Sequence, residues 1–238
     1  MIQAMILAAG EGRRMRPLTL NTPKPLLPVA GKPLIEHQLA RLAAAGIEHC
    51  VINVAYLGDQ IRHALGDGSR HGLRITYSVE SQPLETGGAL YRVLPLLNET
   101  PFLLINADIW LEYPLHDLLA QAAAIEDGHL VLVENPDHNR SGDFTLDESG
   151  RVSLVREGGR ELVEKNDISA SYTFSGLSVL HPKIVRDYPR RRDVFPLLEA
   201  LAFSSARGGL TGEVYRGLWM DIGTPQRLQE LEFYLQCN

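Results

Sequence analysis

The sequence predicts an α/β protein built on a mostly parallel, mixed sheet with helices on both faces, and three observations carry that expectation. Short β-rich runs alternate with segments of helical spacing from Ala4 onward. The first run, "AMILAA", is apolar throughout, as a strand covered on both sides must be. It ends abruptly in Gly10 and Gly12, in the place where ligands gather in sheets of this kind. With 238 residues and 45% hydrophobic content the chain has material for a sizeable core. A chain of this size buries roughly 70 to 75% of its unfolded surface.

Taken in order, Ala4 to Ala9 is the first strand, and "PLIEHQLARLAAAG" is a helix with Pro33 at its first turn and Gly46 as its stop. "HCVINVA" is a second strand, "GDQIRHALG" a helix and "LRITYSV" a third strand. "TGGALYRVLPLL" is the next helix and "PFLLINAD" a fourth strand. Such alternation is that of Rossmann-like crossover units. After "GHLVLVEN" the texture changes: "DFTLDESGRVSLV" reads as a hairpin around Asp147 to Gly150, and "SYTFSGLSVLHP" as a further strand. "DVFPLLEALAFSS" and "TPQRLQELEFYLQ" are closing helices. No internal repeat, low-complexity tract or Pro/Gly/Ser linker divides the chain. One domain over 1–238 is expected, with a first half to about residue 127 and a β-rich, elaborated second half from about residue 128.

A net charge of −6 argues against a nucleic-acid partner, which needs a clustered basic surface. Cys50 lies in an apolar run as a buried thiol, far from Cys237, so neither a disulfide scaffold nor a zinc site is implied. The apolar start has no basic n-region and no segment approaches the length of a membrane span. A cytoplasmic protein without a membrane partner is expected.

Charge is nonetheless concentrated. From Gly10 to Lys32, Arg13, Arg14, Arg16, Lys24 and Lys32 face one acid, Glu11. A dinucleotide fold would place a third glycine where Met15 stands. A P-loop would need that glycine too, then Lys and Ser or Thr where Arg16 and Pro17 stand. The glycines let backbone amides approach a phosphate, while Arg14, Arg16 and Lys24 can neutralise it. Pro17, Pro23, Pro25 and Pro28 stiffen a loop too long for an ordinary strand-to-helix turn. A polyphosphate cradle is the sharper reading and a solvated basic loop the plainer one.

"LAAGEGRRMRPLT" followed by "PKP" resembles the signature of the sugar-1-phosphate nucleotidyltransferases, which join a sugar 1-phosphate to a nucleoside triphosphate. The resemblance implies that the backbone of Leu7, Ala8, Ala9 and Gly10 borders the base, that Gly12 belongs to the nucleotide loop, and that Arg14 and Lys24 contact phosphates. "NADIW" then supplies Asn106 and a metal-binding Asp108, and "WMDIGTPQRL" a second metal ligand, Asp221. Two carboxylates suit Mg²⁺, which takes its other ligands from water and substrate phosphate. The plainer reading of each aspartate is a helix cap. The two should meet at one ion and, unmetallated, repel each other.

"ESQPLETGGAL" resembles the family's base-recognition loop, with Glu80 or Gln82 reading the base edge and Gly87 letting a helix N-terminus approach the nucleoside; the alternative is a plain helix start capped by Thr86. For the sugar, Gly142 in "RSGDF" and Thr173 and Gly176 in "TFSG" occupy the family's places. "VEKN" echoes V-E-K-P without its proline, offering Glu164 as a further sugar ligand.

The partners so implied are a nucleoside triphosphate and a sugar 1-phosphate, in a monomer or homodimer. A phosphate monoester's second pKa is about 6, so the acceptor oxygen attacks without a protein base. The eight histidines fall on no metal spacing. Within the family the stretches look most like the branch that uses UTP and N-acetylmuramate 1-phosphate. The mannose 1-phosphate guanylyltransferases are the alternative, although their common G-T-A-G is here Glu85-Thr86-Gly87-Gly88. A non-catalytic sugar-nucleotide sensor is a reading of another class, against which Lys24, Asp108 and Asp221 argue. With the sequence ending at Asn238, no second activity is expected.

Overall fold

The computed structural model of the chain describes residues 2–157, 160–161 and 171–237. β1 (Ala4–Leu7) leads into a long loop that carries a small hairpin, β2 (Pro28–Val29) and β3 (Lys32–Pro33). Then come α1 (Leu34–Ala44), β4 (His49–Val54), α2 (Gly58–Leu65), β5 (Arg74–Val79), α3 (Glu85–Val93) and β6 (Phe102–Asn106). β7 (Ile109–Leu111), α4 (Leu115–Gln121), β8 (Gly128–Val133), β9 (Phe144–Leu146), β10 (Val152–Leu154), β11 (Arg156–Glu157) and β12 (Arg160–Glu161) follow. The rest is β13 (Ser171–Leu180), α5 (Lys183–Arg186), α6 (Leu197–Ser205), β14 (Leu210–Tyr215), β15 (Trp219–Asp221) and α7 (Pro225–Cys237).

The central sheet runs β5-β4-β1-β6-β13-β8-β14. Only β13 is antiparallel to its neighbours there, which makes the sheet mostly parallel but mixed, as expected. The first residues of β13 pair with β9, and β9 with β10, so the hairpin around Asp147 to Gly150 branches off the main sheet. β14 is a strand that the sequence hides. Its run "LTGEVY" breaks the apolar pattern with Gly212 and Glu213, yet it lies parallel to β8.

Alternation along β1 explains the two layers. Ala4 and Ile6 point into one core with Ile35 and Leu39 of α1, Ile61 of α2 and Leu118 of α4. Met5 points into the other, with Leu90 of α3, Val185 of α5 and Leu201 of α6. Burying each such side chain is worth about 1.5–3 kcal/mol, which is why β1 has no polar position. A third, smaller core lies beneath the basic loop, where Met15, Leu27, Val29 and Leu34 meet Ile222 and Leu231. It clamps the loop against α7, and the Glu232 carboxylate adds a 2.6 Å hydrogen bond from the Ala30 amide. The loop is therefore packed as well as stiffened by its prolines.

Candidate active site

Register gathers the first polar residues. In the sheet Leu7 stands opposite Asn53 of β4 and Asn106 of β6, all at the carboxyl ends of parallel strands. There a cavity of about 260 Å³ opens, lined by Leu7 to Gly10, Lys24, Pro25, Asn53, Glu80, Pro83 to Thr86 and Asn106 to Asp108. A chain of hydrogen bonds sets its wall. The Ala8 amide donates to Asn53 Oδ1 at 2.9 Å, Asn53 Nδ2 donates to Glu80 Oε1 at 2.8 Å, and the Leu84 amide reaches Glu80 Oε2 at 3.4 Å. Burial pushes the Glu80 carboxyl above its ordinary range, against the pull of those two donors.

The residues of the base-recognition expectation take different places at this wall. Glu80 is buried and braces Asn53 and the Leu84 turn with one donor on each oxygen, while it also lines the cavity. Gln82 is exposed and outside the cavity lining. Gly87 is also outside it: a Cβ there would lie 2.5 Å from Phe195 Cε2, and its amide donates to the Phe195 carbonyl at 2.9 Å. The glycine serves close packing of α3 on the segment before α6. Thr86 does not cap α3 either, since its hydroxyl accepts the Leu197 amide at 2.9 Å. Glu85, which does line the cavity, holds φ +58° without being glycine.

At the other end of the cavity the charges assemble. Lys24 begins a one-turn 3-10 segment, its stem is buried, and its Nζ lies 2.6 Å from Asp108 Oδ2. A smaller adjoining cleft is lined by Gly10, Gly12, Arg13, Arg14, Lys24, Asp108 and Gly223. Arg13 is tied to Glu11 at 2.7 Å, whereas Arg14 is exposed and makes no ion pair among the described residues. Arg14 is thus the loop cation available to a newcomer.

Asp221 lies beside this cleft, next to Gly223, and it comes from outside the central sheet. β15 pairs antiparallel with β7, a separate ribbon, with Asp221 opposite Ile109 and the Ile222 amide 2.7 Å from the Asp108 carbonyl. The two aspartates are neighbours in space. Their expected repulsion is already answered by protein cations. Lys24 holds Asp108, while Asp221 Oδ1 contacts Arg227 Nη1 and lies 3.3 Å from His138 Nε2. Burial, then Arg227 and Arg14, keep the His138 imidazole below its ordinary range. His138 and Arg227 were invisible in the sequence because nothing local marks them.

No group of three or more His, Cys, Asp or Glu side chains that could hold a metal exists among the described residues. The donor set of two carboxylates on neighbouring backbone segments, one of them 42% exposed at its side chain, fits an ion that takes its remaining ligands from water and phosphate.

On the far side of His138 a second cavity, about 330 Å³, is lined by His138 to Asp143 and by Leu198. Gly142 lines this cavity, at φ +65° and closely packed on Asn135 and Tyr172. Thr173 is displaced from the anticipated sugar contact. It is buried, donates to Asn135 Oδ1 at 2.9 Å and accepts from Asn139 Nδ2 at 3.1 Å. Gly176 lies instead by the first cavity, where its φ of +86° and missing Cβ let Asn106 Nδ2 approach. Glu164 lies outside the described residues.

Comparison with known proteins fits this geometry. The family model described as nucleotidyl transferase matches residues 3–236. The N-acetylmuramate alpha-1-phosphate uridylyltransferase of Neisseria meningitidis serogroup B is 43% identical over 235 residues, covering 97% of each chain. The mannose-1-phosphate guanylyltransferase of Mycobacterium tuberculosis is 34% identical over 94% of this chain and 62% of its own. Among solved structures, a putative glucose-1-phosphate thymidylyltransferase from Bacillus anthracis superposes with a TM-score of 0.84 at 22% identity, over 98% of this chain and 95% of its own. With a mixed sheet whose glycine-ended first strand opens onto a lysine, an arginine and two aspartates, and with a family model spanning nearly every residue, this chain belongs to the nucleotidyl transferase family.

Proposed function

We propose that the chain transfers a uridylyl group from UTP to N-acetylmuramate 1-phosphate, giving the nucleotide sugar and pyrophosphate. The carrying observation is the Lys24 ammonium, held 2.6 Å from Asp108 where the basic loop meets the end of β6. A buried cation beside a cleft that an unpaired arginine also lines suits a triphosphate, and the glycine-bounded backbone of Leu7 to Gly10 leaves room for the nucleoside.

The reaction needs one bond made and one broken. An oxygen of the acceptor's phosphate attacks the α-phosphorus, and the bond to the β-phosphate oxygen breaks with pyrophosphate leaving. The acceptor is largely dianionic near neutral pH, so no proton has to be removed. Lys24 and Arg14 would hold the phosphates in line and neutralise charge that spreads over the transferring group. Mg²⁺, held by Asp108 and Asp221, would supply further neutralisation of the triphosphate. Asn106, which lines the first cavity, would position the nucleoside, and Gly142, which lines the second, would border the acceptor. The uridylyl choice is supported by the N. meningitidis relative, whose length this chain matches nearly in full.

The test is pyrophosphate release with each of four nucleoside triphosphates crossed against a panel of sugar 1-phosphates. UTP with N-acetylmuramate 1-phosphate should give the highest kcat/KM. A higher value for GTP with mannose 1-phosphate would replace this reading by the guanylyl one, and no turnover with any pair would favour a sensor.

A further inference from the structure

The second cavity carries a feature that an uncharged hexose ring does not require. Arg140 lines it together with Leu198, which is 46% exposed, so a cation and a bare aliphatic surface share one wall. Among the described residues the guanidinium is joined only to Asp137, at 2.9 Å and with side chains 80% and 94% exposed, a pair of the kind that contributes little and opens easily. The floor is rigid by contrast. Asp143 accepts from Asn139 Nδ2 at 3.0 Å and from the Phe174 amide at 2.9 Å, so its two oxygens are engaged. Asn139 in turn reaches Thr173, and Thr173 reaches Asn135. The one acid lining the cavity is thus committed to the scaffold, while its arginine is free to change partner. His138 connects the cavity to the reacting centre through its 3.3 Å approach to Asp221.

We infer that Arg140 is a specificity residue that recognises a carboxylate on the acceptor sugar, with Leu198 contacting a methyl group next to it. The ligand class is a sugar 1-phosphate bearing an ether-linked hydroxy-acid side chain. Its phosphate would lie on the Asp221 side of His138 and its acid on the Arg140 side. This rests on the uridylyl reading above and sharpens it, because it names the chain's own residues that separate N-acetylmuramate 1-phosphate from N-acetylglucosamine 1-phosphate, the same sugar without the lactyl group. A guanidinium-carboxylate hydrogen bond is charge-assisted, and it gains over the exposed pair with Asp137 where the bound sugar excludes water from the cavity.

The experiment compares kcat/KM for these two acceptors, with UTP as donor, in the wild type, Arg140→Ala, Arg140→Lys and Leu198→Glu. The ratio favouring the lactyl sugar should fall about tenfold or more in Arg140→Ala. It should be largely restored in Arg140→Lys and fall again in Leu198→Glu, where a new carboxylate repels the acceptor's own. The loss should be in KM rather than kcat. Thermal unfolding should be unchanged in Arg140→Ala, since the residue is exposed. An unchanged ratio, or an equal loss for both sugars, would overturn the role of Arg140 while leaving the uridylyl reading intact. A wild type that turns over neither acceptor but does use mannose 1-phosphate would overturn both.

Discussion

The two sides of His138 are built on different principles. On the nucleotide side the parts are local: β1, its glycines and Lys24 lie within a short stretch, and the sheet register alone puts Leu7, Asn53 and Asn106 in one row. On the acceptor side the parts come from separate segments. His138 to Asp143 follow β8, Leu198 lies on α6 and Thr173 on β13. A site drawn from one loop can hold its charges by backbone geometry. One assembled from many segments depends on side-chain contacts between them. Substitutions should therefore act chiefly on chemistry in the first and on chemistry together with stability in the second.

The largest effect should come from Lys24→Ala. Turnover should drop about 10²-fold or more if the ammonium stabilises developing phosphate charge. Stability should fall by about 0.5–3 kcal/mol, because Asp108, at 42% side-chain exposure, can be hydrated when its partner goes but the buried Lys24 stem is lost from its packing. Pyrophosphate release and thermal unfolding on the same preparation check both parts. Near-normal turnover would remove Lys24 from the mechanism.

Asp108→Asn and Asp221→Asn come next, with turnover lower by about tenfold or more in each. Their stabilities should differ. Asp221 has a 22% exposed side chain facing Arg227 and His138, so neutralising it leaves two partly buried donors without their acceptor charge, a cost of about 1–3 kcal/mol. Asp108→Asn should cost less. Mutual repulsion of the pair would instead make both variants more stable than the wild type, so a raised Tm would break the contact-based account.

Legibility in the sequence follows the same division. The crossover units were readable because helical and strand periods are local, and the cradle because its glycines, arginines and lysine are contiguous. Asn53 gave a signal that went unused: a lone amide inside "HCVINVA" has to find partners when buried, and it found Ala8 and Glu80. His138, Arg227 and Leu198 gave none, since their neighbours are distant in sequence. Gly87 is hard to read from sequence for a related reason. The sequence shows that a glycine opens α3, but which surface it faces depends on Phe195, a residue of the other half.

Gly87→Ala tests that seam. The added methyl would sit 2.5 Å from Phe195 Cε2 and 2.8 Å from its carbonyl oxygen, and overpacking of this kind costs about 1–3 kcal/mol. Each kcal/mol should lower Tm by about 2–4 °C for a chain of this size. The KM for the nucleotide should hold at temperatures where the variant is folded. A raised nucleotide KM with unchanged Tm would return Gly87 to the nucleoside.

The smallest effect should be an acid-side loss of stability beside the same seam. Arg192 precedes the residues that α3 packs on, and its guanidinium forks onto Glu199 at 2.7 and 2.8 Å. The Tyr188 hydroxyl donates to the same carboxylate at 2.9 Å. The Arg192 hydrogen bonds first, and Tyr188 after them, push the Glu199 carboxyl from its ordinary 4.5 down to about 2. A carboxyl whose folded value is depressed binds its proton more readily in the unfolded chain. Its contribution is therefore complete above pH 4.5 and is lost as pH falls toward 2. With side chains 50% and 30% exposed the pair is screened by solvent, so its worth is about 0.2–1 kcal/mol rather than what the shift alone would give. Glu199→Gln should flatten the pH dependence of unfolding by that amount between pH 4.5 and 2, and leave nucleotide and acceptor KM at neutral pH as they were. Urea unfolding of wild type and variant at several acid pH values measures the difference. Parallel curves would mean that the seam is held by the glycine packing alone, and a shifted acceptor KM would mean that this ion pair shapes the Leu198 wall of the second cavity as well.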